Sequence, residues 1–163
     1  MRRHFLSSDN TKASLKALLE LSGVSVSQIA EKFAVRLESQ KKVFLLQLHP
    51  SLVKYLGYYF GMYIRGPYSR GLASAYYNLD DVKSAVLRLD NSSGSYISEI
   101  SAMNNWQLEL LATVFSVLEY GKSANNELII TRVRDLKPKY SREEIERAVA
   151  KAREQTARYN LRV

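Results

Sequence analysis

Residues 105–120 predict one helix that is apolar around nearly its whole circumference. The apolar positions are Trp106, Leu108, Leu110, Leu111, Val114, Phe115, Val117 and Leu118. A surface helix needs one apolar stripe, whereas a helix that is apolar all round must be covered on every side. A chain of 163 residues favours a single domain. The other elements are therefore expected to pack around this helix, which we predict to end before Gly121.

Apolar spacing and capping residues predict further helices on both sides of this one. Before it we expect helices over residues 11–21, 25–33, 37–48 and 69–79, and a stripe of Val82, Val86 and Leu89 behind an Asp80 cap. After it we expect helices over residues 126–136 and from residue 142 onward. At the start of the last helix, Ser141 and Glu144 have capping-box spacing, and Tyr140 and Ile145 occupy the hydrophobic-staple positions. Residues 91–95 are rich in Ser, Asn and Gly and predict an internal loop.

The aromatic run at residues 58–64 predicts the one strand of the chain. Its alternation would place Phe60, Met62 and Ile64 on one face and Tyr59, Tyr63 and Arg65 on the other.

A Gly-Pro-Tyr-Ser corner follows this strand. We expect Gly66 to permit a tight turn, Pro67 to start the next helix and Ser69 to cap it.

These elements predict a mainly α fold: a compact, multi-helix single domain over residues 1–163, with one small β element near residues 58–65. Residues 1–10 are expected to be flexible. The expected core consists of Leu18, Phe44, Leu45, Phe60, Leu72, Leu111, Val114, Phe115, Leu118, Ile130 and Ile145.

Composition argues against most kinds of catalytic site. The chain has no cysteine and two histidines, His4 and His49, without partners at metal-ligand spacing. It has no phosphate-binding loop, nucleophile elbow or dinucleotide fingerprint. We therefore predict a protein that is not an enzyme and uses no cofactor or metal. No apolar run approaches membrane-spanning length, so a cytoplasmic location is expected. The lack of cysteine and the Glu/Lys/Arg-rich last helix are typical of thermophiles.

The net charge of +8 is unevenly placed along the chain. Residues 1–79 carry 11 Lys/Arg against 4 Asp/Glu, whereas residues 80–163 carry 13 against 12. A positive half suggests an anionic partner such as nucleic acid; a merely soluble, highly charged surface is the alternative.

Residues 15–33 have the spacing of a helix-turn-helix, with Gly23 at the turn and a polar start to the second helix. The alternative is an ordinary corner between two helices. If the motif binds DNA, the polar residues after Gly23 would contact base edges.

Aromatic residues, mostly tyrosines, interleave with basic residues in the positive half of the chain. This pattern is typical of proteins that bind single-stranded nucleic acid. The alternative is that most of these tyrosines pack in the core. The candidate nucleic-acid contacts are Lys12, Lys16, Lys32, Arg36, Lys41, Lys42, Lys54, Tyr59, Tyr63, Arg65 and Arg70. We expect no contacts from the last helix, because its arginines alternate with glutamates.

Three segments together resemble the YwgA-like family. They are residues 36–47, where a Gln-Lys pair precedes an aromatic-leucine core, residues 63–72 with the Gly-Pro-Tyr-Ser motif, and residues 106–141 with the buried helix and the Lys-Pro-Lys-Tyr-Ser helix start. The similarity extends from about residue 12 to 152 in order and spacing. The resemblance, with its relation to SocA-like or Panacea antitoxin domains, implies a helical domain with a small strand element, without a catalytic centre, and with a protein-binding or regulatory role.

Two functional hypotheses follow. The first is a basic, regulatory nucleic-acid-binding module, with DNA favoured over RNA. The second is a protein-interaction adaptor or antitoxin-like module of the SocA/Panacea type. The sequence leaves open the strandedness of the nucleic acid, the identity of a protein partner and the oligomeric state.

Overall fold

The computed structural model describes residues 8–121 and 125–163. In them the chain forms seven α-helices and one two-stranded antiparallel sheet, so the fold is mainly helical as predicted. In chain order the elements are α1 (Ser8–Leu21), α2 (Phe33–Leu46), β1 (Gly61–Tyr63), β2 (Gly66–Tyr68), α3 (Arg70–Ala75), α4 (Asn91–Ser101), α5 (Asn105–Tyr120), α6 (Asn126–Leu136) and α7 (Arg142–Tyr159). The flexible segment predicted for residues 1–10 lies largely outside the described residues, and Ser8 already begins α1.

Helix α5 lies at the centre of the fold, as its apolar circumference predicts. It packs against α2, α6, α7 and β2, and Leu108, Val114 and Phe115 have no exposed surface. Asn104 caps it through a capping box with Gln107. All seven helices contribute buried residues to one continuous core.

The expected core residues are buried, except that Phe60 is half-buried and packs on the edge of Phe44. The start of α7 is also confirmed. Ser141 accepts a hydrogen bond from the backbone N–H of Glu144, whose side chain accepts one from the backbone N–H of Ser141. The staple residues Tyr140 and Ile145 are both buried. Within the described residues, no helix combines the length and the apolar character needed to cross a bilayer.

The predicted strand over residues 58–64 is shorter than expected, and the corner after it has a different shape. Strand β1 pairs with β2, which is the Gly-Pro-Tyr of the motif, in the register Gly61↔Tyr68, Met62↔Pro67 and Tyr63↔Gly66. The turn is therefore at residues 64–65. Gly66 does need its freedom, because its φ is +107°.

Pro67 therefore lies in a strand and does not start a helix as predicted. Ser69 does cap α3 as predicted. The Ser69 hydroxyl accepts a hydrogen bond from the N–H of Leu72 at 3.2 Å. The extended backbone at Ser69 is held by a side chain of α2. The buried amide of Gln40 accepts from the N–H of Ser69 at 2.8 Å and donates to its carbonyl at 3.0 Å. At the C-cap of α2, Gln47 accepts a hydrogen bond from the N–H of Tyr58 and donates one to its carbonyl.

The predicted helix over residues 25–33, and with it the recognition helix of a helix-turn-helix, is wrong. The chain forms only one 3₁₀ turn, Val26–Gln28, and Ser25 makes no side-chain capping bond. Gly23, with φ +82°, does end α1: its N–H bonds the Glu20 carbonyl while that of Val24 bonds the Leu19 carbonyl.

Helix α2 begins at Phe33, four residues before the predicted start at residue 37. Between the 3₁₀ turn and α2 the chain does not continue as a helix. Arg36 donates to the carbonyls of Ile29 and Ala30. These bonds satisfy carbonyl groups that a continuing helix would have used itself.

Two predictions around residues 80–95 are also wrong. Residues 91–95 are the first turn of α4 and not a loop, because Asp90 caps that helix by accepting from the N–H of Ser93 at 2.7 Å. The apolar stripe of Val82, Val86 and Leu89 after Asp80, predicted to be helical, does not form a helix either. Residues 82–90 lack helix and strand, Val86 is fully exposed, and the N–H of Ala85 bonds the carbonyl of Ala13 in α1.

Candidate nucleic-acid interface

An apolar cleft of about 380 Å³ lies between the first two turns of α2 and the β1–β2 hairpin. We call it the hairpin cleft. Its lining residues are Phe33, Leu37, Gln40, Lys41, Tyr63, Ile64, Arg65, Gly66, Pro67, Tyr68 and Arg70. Leucine, proline and aromatic rings form its walls, and three cationic side chains belong to the same lining. The cleft therefore combines an apolar interior with positive charge.

Large apolar side chains at the cleft are unusually exposed. Phe33 is 53% exposed, Tyr63 51% and Ile64 94%. The Arg65 guanidinium lies 5.0 Å from the centre of the Phe33 ring, within the range of a cation–π contact. Tyr63 meets Tyr68 edge to face, with ring centres 5.6 Å apart. The aromatic rings are thus oriented by neighbours while part of each remains available to a partner.

Lys41 lies among several other cations. Burial lowers the pKa of Lys41, and repulsion from Lys137, Lys139 and Arg65 lowers it further, while Glu109 acts in the opposite direction. Four basic side chains therefore share this region with one carboxylate. An anion placed there would relieve their mutual repulsion.

Glu109 holds this cluster together. Its carboxylate accepts hydrogen bonds from Lys137 at 2.8 Å, from Lys139 at 2.9 Å and from the Tyr140 hydroxyl at 3.1 Å. Burial alone would raise the pKa of Glu109, but the hydrogen bonds from both lysines, the charge of Lys137 and the hydrogen bond from Tyr140 together outweigh burial and lower the pKa to about 2. Lys137 also donates to the carbonyl of Ile64 at 3.1 Å. The cluster thereby anchors the tip of the hairpin to α5.

The structure brings Lys41, Tyr63, Arg65 and Arg70 together in the hairpin cleft, as the candidate list requires. Arg36 belongs to the same region, since its guanidinium lies 5.9 Å from the Phe33 ring centre.

Other candidates lie away from the cleft lining. Lys32 is exposed and immediately precedes Phe33. Lys54 is exposed beside the Tyr55 ring. Tyr59 is almost fully exposed and lines a different depression, formed with residues 161–163.

Three further candidates, Lys12, Lys16 and Lys42, lie outside the cleft lining, and their ammonium groups bond protein carbonyls. Lys12 donates to the carbonyl of Tyr77 at 2.9 Å. Lys16 donates to two carbonyls in residues 80–82, at 2.6 and 2.8 Å. Lys42 is 2% exposed, donates to the carbonyl of Ser22 and pairs with Glu38 at 2.7 Å. These bonds tie the three lysines to the fold, and Lys16 and Lys42 present little surface to a ligand because their side chains are only 14% and 3% exposed.

Several cations of α7 are paired with carboxylates, which agrees with the charge alternation of this helix. Arg142 contacts Glu127 and Glu146, and Arg147 contacts Glu143. Arg158 contacts Glu99 and Glu154 in the same way.

Sequence reasoning missed Phe33, Lys137, Lys139 and Glu109 as members of this site. Phe33 was assigned to the end of a helix that does not form, and its exposure depends on its position at the start of α2. The two lysines belong to the nearly neutral half of the chain. The Lys-Pro-Lys spacing was a signal, but only the tertiary structure places it beside the hairpin.

Outside the cleft, His49 and Ser92 lie at the spacing of a nucleophile and its base but do not have those roles. The His49 Nε2 lies 3.0 Å from the Ser92 hydroxyl, and its Nδ1 accepts from the N–H of Ser51. A neutral imidazole that accepts at Nδ1 carries its proton on Nε2, so it donates to Ser92 and does not deprotonate it. Burial lowers the pKa of His49, which favours this neutral form.

No group of three or more His, Cys, Asp or Glu side chains suited to a metal ion occurs among residues 8–121 and 125–163. Comparison with models of known families, with curated proteins and with solved structures finds no match. The resemblance to YwgA-like proteins therefore stays a prediction.

Proposed function

We propose that the protein is a non-enzymatic, regulatory nucleic-acid-binding module and that the hairpin cleft is its binding surface. One observation carries this proposal: in the cleft, exposed aromatic side chains lie beside a cluster of cations that has an excess of positive charge. Around the cleft, Lys41 lies within electrostatic range of Arg65, Lys137 and Lys139 and of the carboxylate of Glu109. Arg70 adds a further exposed cation.

Nucleic acid fits this combination because its phosphates need cations and its bases need flat apolar surfaces. Arg65 is suited to both requirements. A guanidinium can bond a phosphate with two N–H groups and can also stack on a ring. The +8 net charge would speed the encounter with a polyanion.

The test is a fluorescence anisotropy titration with labelled DNA and RNA at about 50 mM salt, repeated at higher salt. The double variant Arg65→Glu/Arg70→Glu reverses two exposed cations of the cleft. It should weaken binding by well over tenfold and reduce the salt dependence, since fewer counterions are released. We choose this pair instead of Lys41 and Lys42, because reversing the buried Lys42 would also damage the fold.

The matched control is Arg147→Glu/Arg158→Glu on α7, which also reverses two exposed arginines, both of them already paired with carboxylates. It should change affinity much less than the cleft variant. Equal losses from both would indicate a general response to net charge and would contradict the assignment of the cleft. Failure of the wild-type protein to bind any DNA or RNA at low salt would refute the proposed function.

The alternative is a protein-interaction adaptor or antitoxin-like module, the role that the YwgA-like and SocA/Panacea resemblance implies. A second apolar groove favours it. This groove, between α5 and α7, has a volume of about 330 Å³ and is lined by Met103, Leu110 and the half-exposed Trp106. Binding through such a surface would respond weakly to salt, in contrast to binding through phosphates.

A further inference from the structure

Within the proposed nucleic-acid function, on which this inference rests, we infer that the ligand is single-stranded and that a base inserts into the hairpin cleft. The distribution of polarity in the cleft is the first argument. Leu37, Pro67 and Tyr68 give its interior an apolar character, whereas Arg65 and Arg70 are exposed. An unstacked base can fill the interior while the phosphates on either side of it meet the cations.

A duplex would use this surface poorly. Its bases are already stacked and paired, so it presents phosphates and groove edges to a protein. A duplex lying across the cleft would leave the apolar interior unfilled. The described part of the chain also lacks the predicted recognition helix, because residues 26–28 form only a 3₁₀ turn. An extruded or single-stranded base is the form that matches the cleft.

Preorganisation is the second argument. The Phe33 ring has Arg65 at 5.0 Å, and the Tyr63 ring is fixed edge to face against Tyr68. The hairpin tip that carries Arg65 is held by the bond from Lys137 to the Ile64 carbonyl. A rigid surface loses little conformational entropy on binding, so its aromatic faces can contribute fully to stacking.

The experiment compares labelled dT and rU strands of about 12 nucleotides with a DNA duplex of the same length. Wild-type protein should bind at least one of the strands more than tenfold tighter than the duplex. The preference between dT and rU then identifies the sugar, and either preference supports the inference. Phe33→Ala should weaken strand binding by about tenfold, since removing one stacking ring typically has an effect of this order. It should leave the weak duplex binding nearly unchanged.

Phe33→Leu provides a second variant that keeps apolar volume without an aromatic face. Because Phe33 is half exposed, both variants should keep a cooperative thermal unfolding transition. The matched control is Tyr77→Ala, which removes an exposed ring outside the cleft lining and should leave strand binding unchanged.

The outcomes separate this inference from the proposed function. Equal affinity for strand and duplex, or full strand affinity in both Phe33 variants, would overturn the single-strand inference. The proposed function would survive in that case if Arg65→Glu/Arg70→Glu still weakened binding. Absence of any nucleic-acid binding by the wild-type protein would overturn both.

Discussion

Replacing Glu109 by glutamine tests whether one carboxylate holds the basic cluster in place. The substitution keeps the size of the side chain and removes its charge. The side chain of Glu109 is 17% exposed and that of its partner Lys137 is 8% exposed, so this pair is largely buried. Its other lysine partner, Lys139, is 63% exposed.

The expected cost can be worked out from these contacts. Removing one partner of a buried ion pair costs about 3–5 kcal/mol. The exposed Lys139 adds only about 0–1 kcal/mol to that. The amide oxygen of glutamine still accepts one hydrogen bond, and Lys137 keeps the Ile64 carbonyl. We therefore expect a loss at the low end of this range, about 3 kcal/mol at pH 7.

The dependence of this loss on pH gives a sharper test. The pKa of Glu109 falls from its usual 4.5 to about 2 on folding. Its charge therefore stabilises the folded state fully above pH 4.5, and the contribution is lost as the pH falls toward 2. The difference in unfolding free energy between wild type and Glu109→Gln should shrink over this range. Urea denaturation at several pH values between 7 and 3 measures it, and comparing the two proteins largely cancels the other carboxylates.

The control is Glu143→Gln, which breaks an exposed pair with Arg147 and should cost about 0.5 kcal/mol or less. A cost this small for Glu109→Gln, or a cost that stays constant from pH 7 to pH 3, would refute the reasoning.

Glu109→Gln should also tighten nucleic-acid binding, because it removes the negative charge beside Lys41 and Lys137.

Three further substitutions test the fold by chemical denaturation. Lys42→Met should cost about 1–3 kcal/mol by leaving a buried carbonyl without its donor, and an unchanged midpoint would contradict the structural role of Lys42. Gly23→Ala should cost at least about 1–2 kcal/mol, since both Gly23 and Gly57 have left-handed backbones. It should cost more than Gly57→Ala, because a methyl at Gly23 would lie 3.0 Å from Ser101 Oγ, while one at Gly57 meets open space; the reverse order would be inconsistent with this contact. Tyr96→Phe should cost about 1 kcal/mol by removing a buried 2.7 Å hydrogen bond, and no loss would show that this bond adds nothing net.

The sequence predicts the helices of the C-terminal half well because their signals are local. The bounds of α5 and α6 agree with the predicted ranges 105–120 and 126–136. For α7, the cap at Ser141 and its partner Glu144 lie three residues apart, so the sequence contains the whole interaction.

One failure occurs where a distant group bonds the backbone, and another occurs where a local helix cap outweighs a loop-like composition. The Gly-Pro-Tyr segment becomes a strand under the influence of Gln40, which is 29 residues from Ser69 in the chain. Residues 91–95 were assigned to a loop because Ser and Asn favour loops, yet Asp90 supplies a helix cap. The Asp90 signal was present in the sequence, whereas the role of Gln40 was not.

The candidate site follows the same division. Tyr63, Arg65 and Arg70 could be predicted because they belong to one aromatic and basic segment. The separation of Lys41 from Lys42 could not, because two adjacent helical lysines face different surroundings. Only packing determines that Lys42 bonds the Ser22 carbonyl while Lys41 reaches the cleft.

Gln40 in α2 and Gln47 at its C-cap have a consequence for how this protein can change. Gln40 and Gln47 bond only main-chain atoms, those of Ser69 and Tyr58, at the two ends of the segment that contains the hairpin. Main-chain groups are present whatever side chains the segment carries. The exposed tip at residues 64–65 can therefore vary in sequence while its frame is retained. In this respect the hairpin resembles a display loop on a fixed scaffold, and libraries randomised at these two positions offer a direct route to new binding specificities.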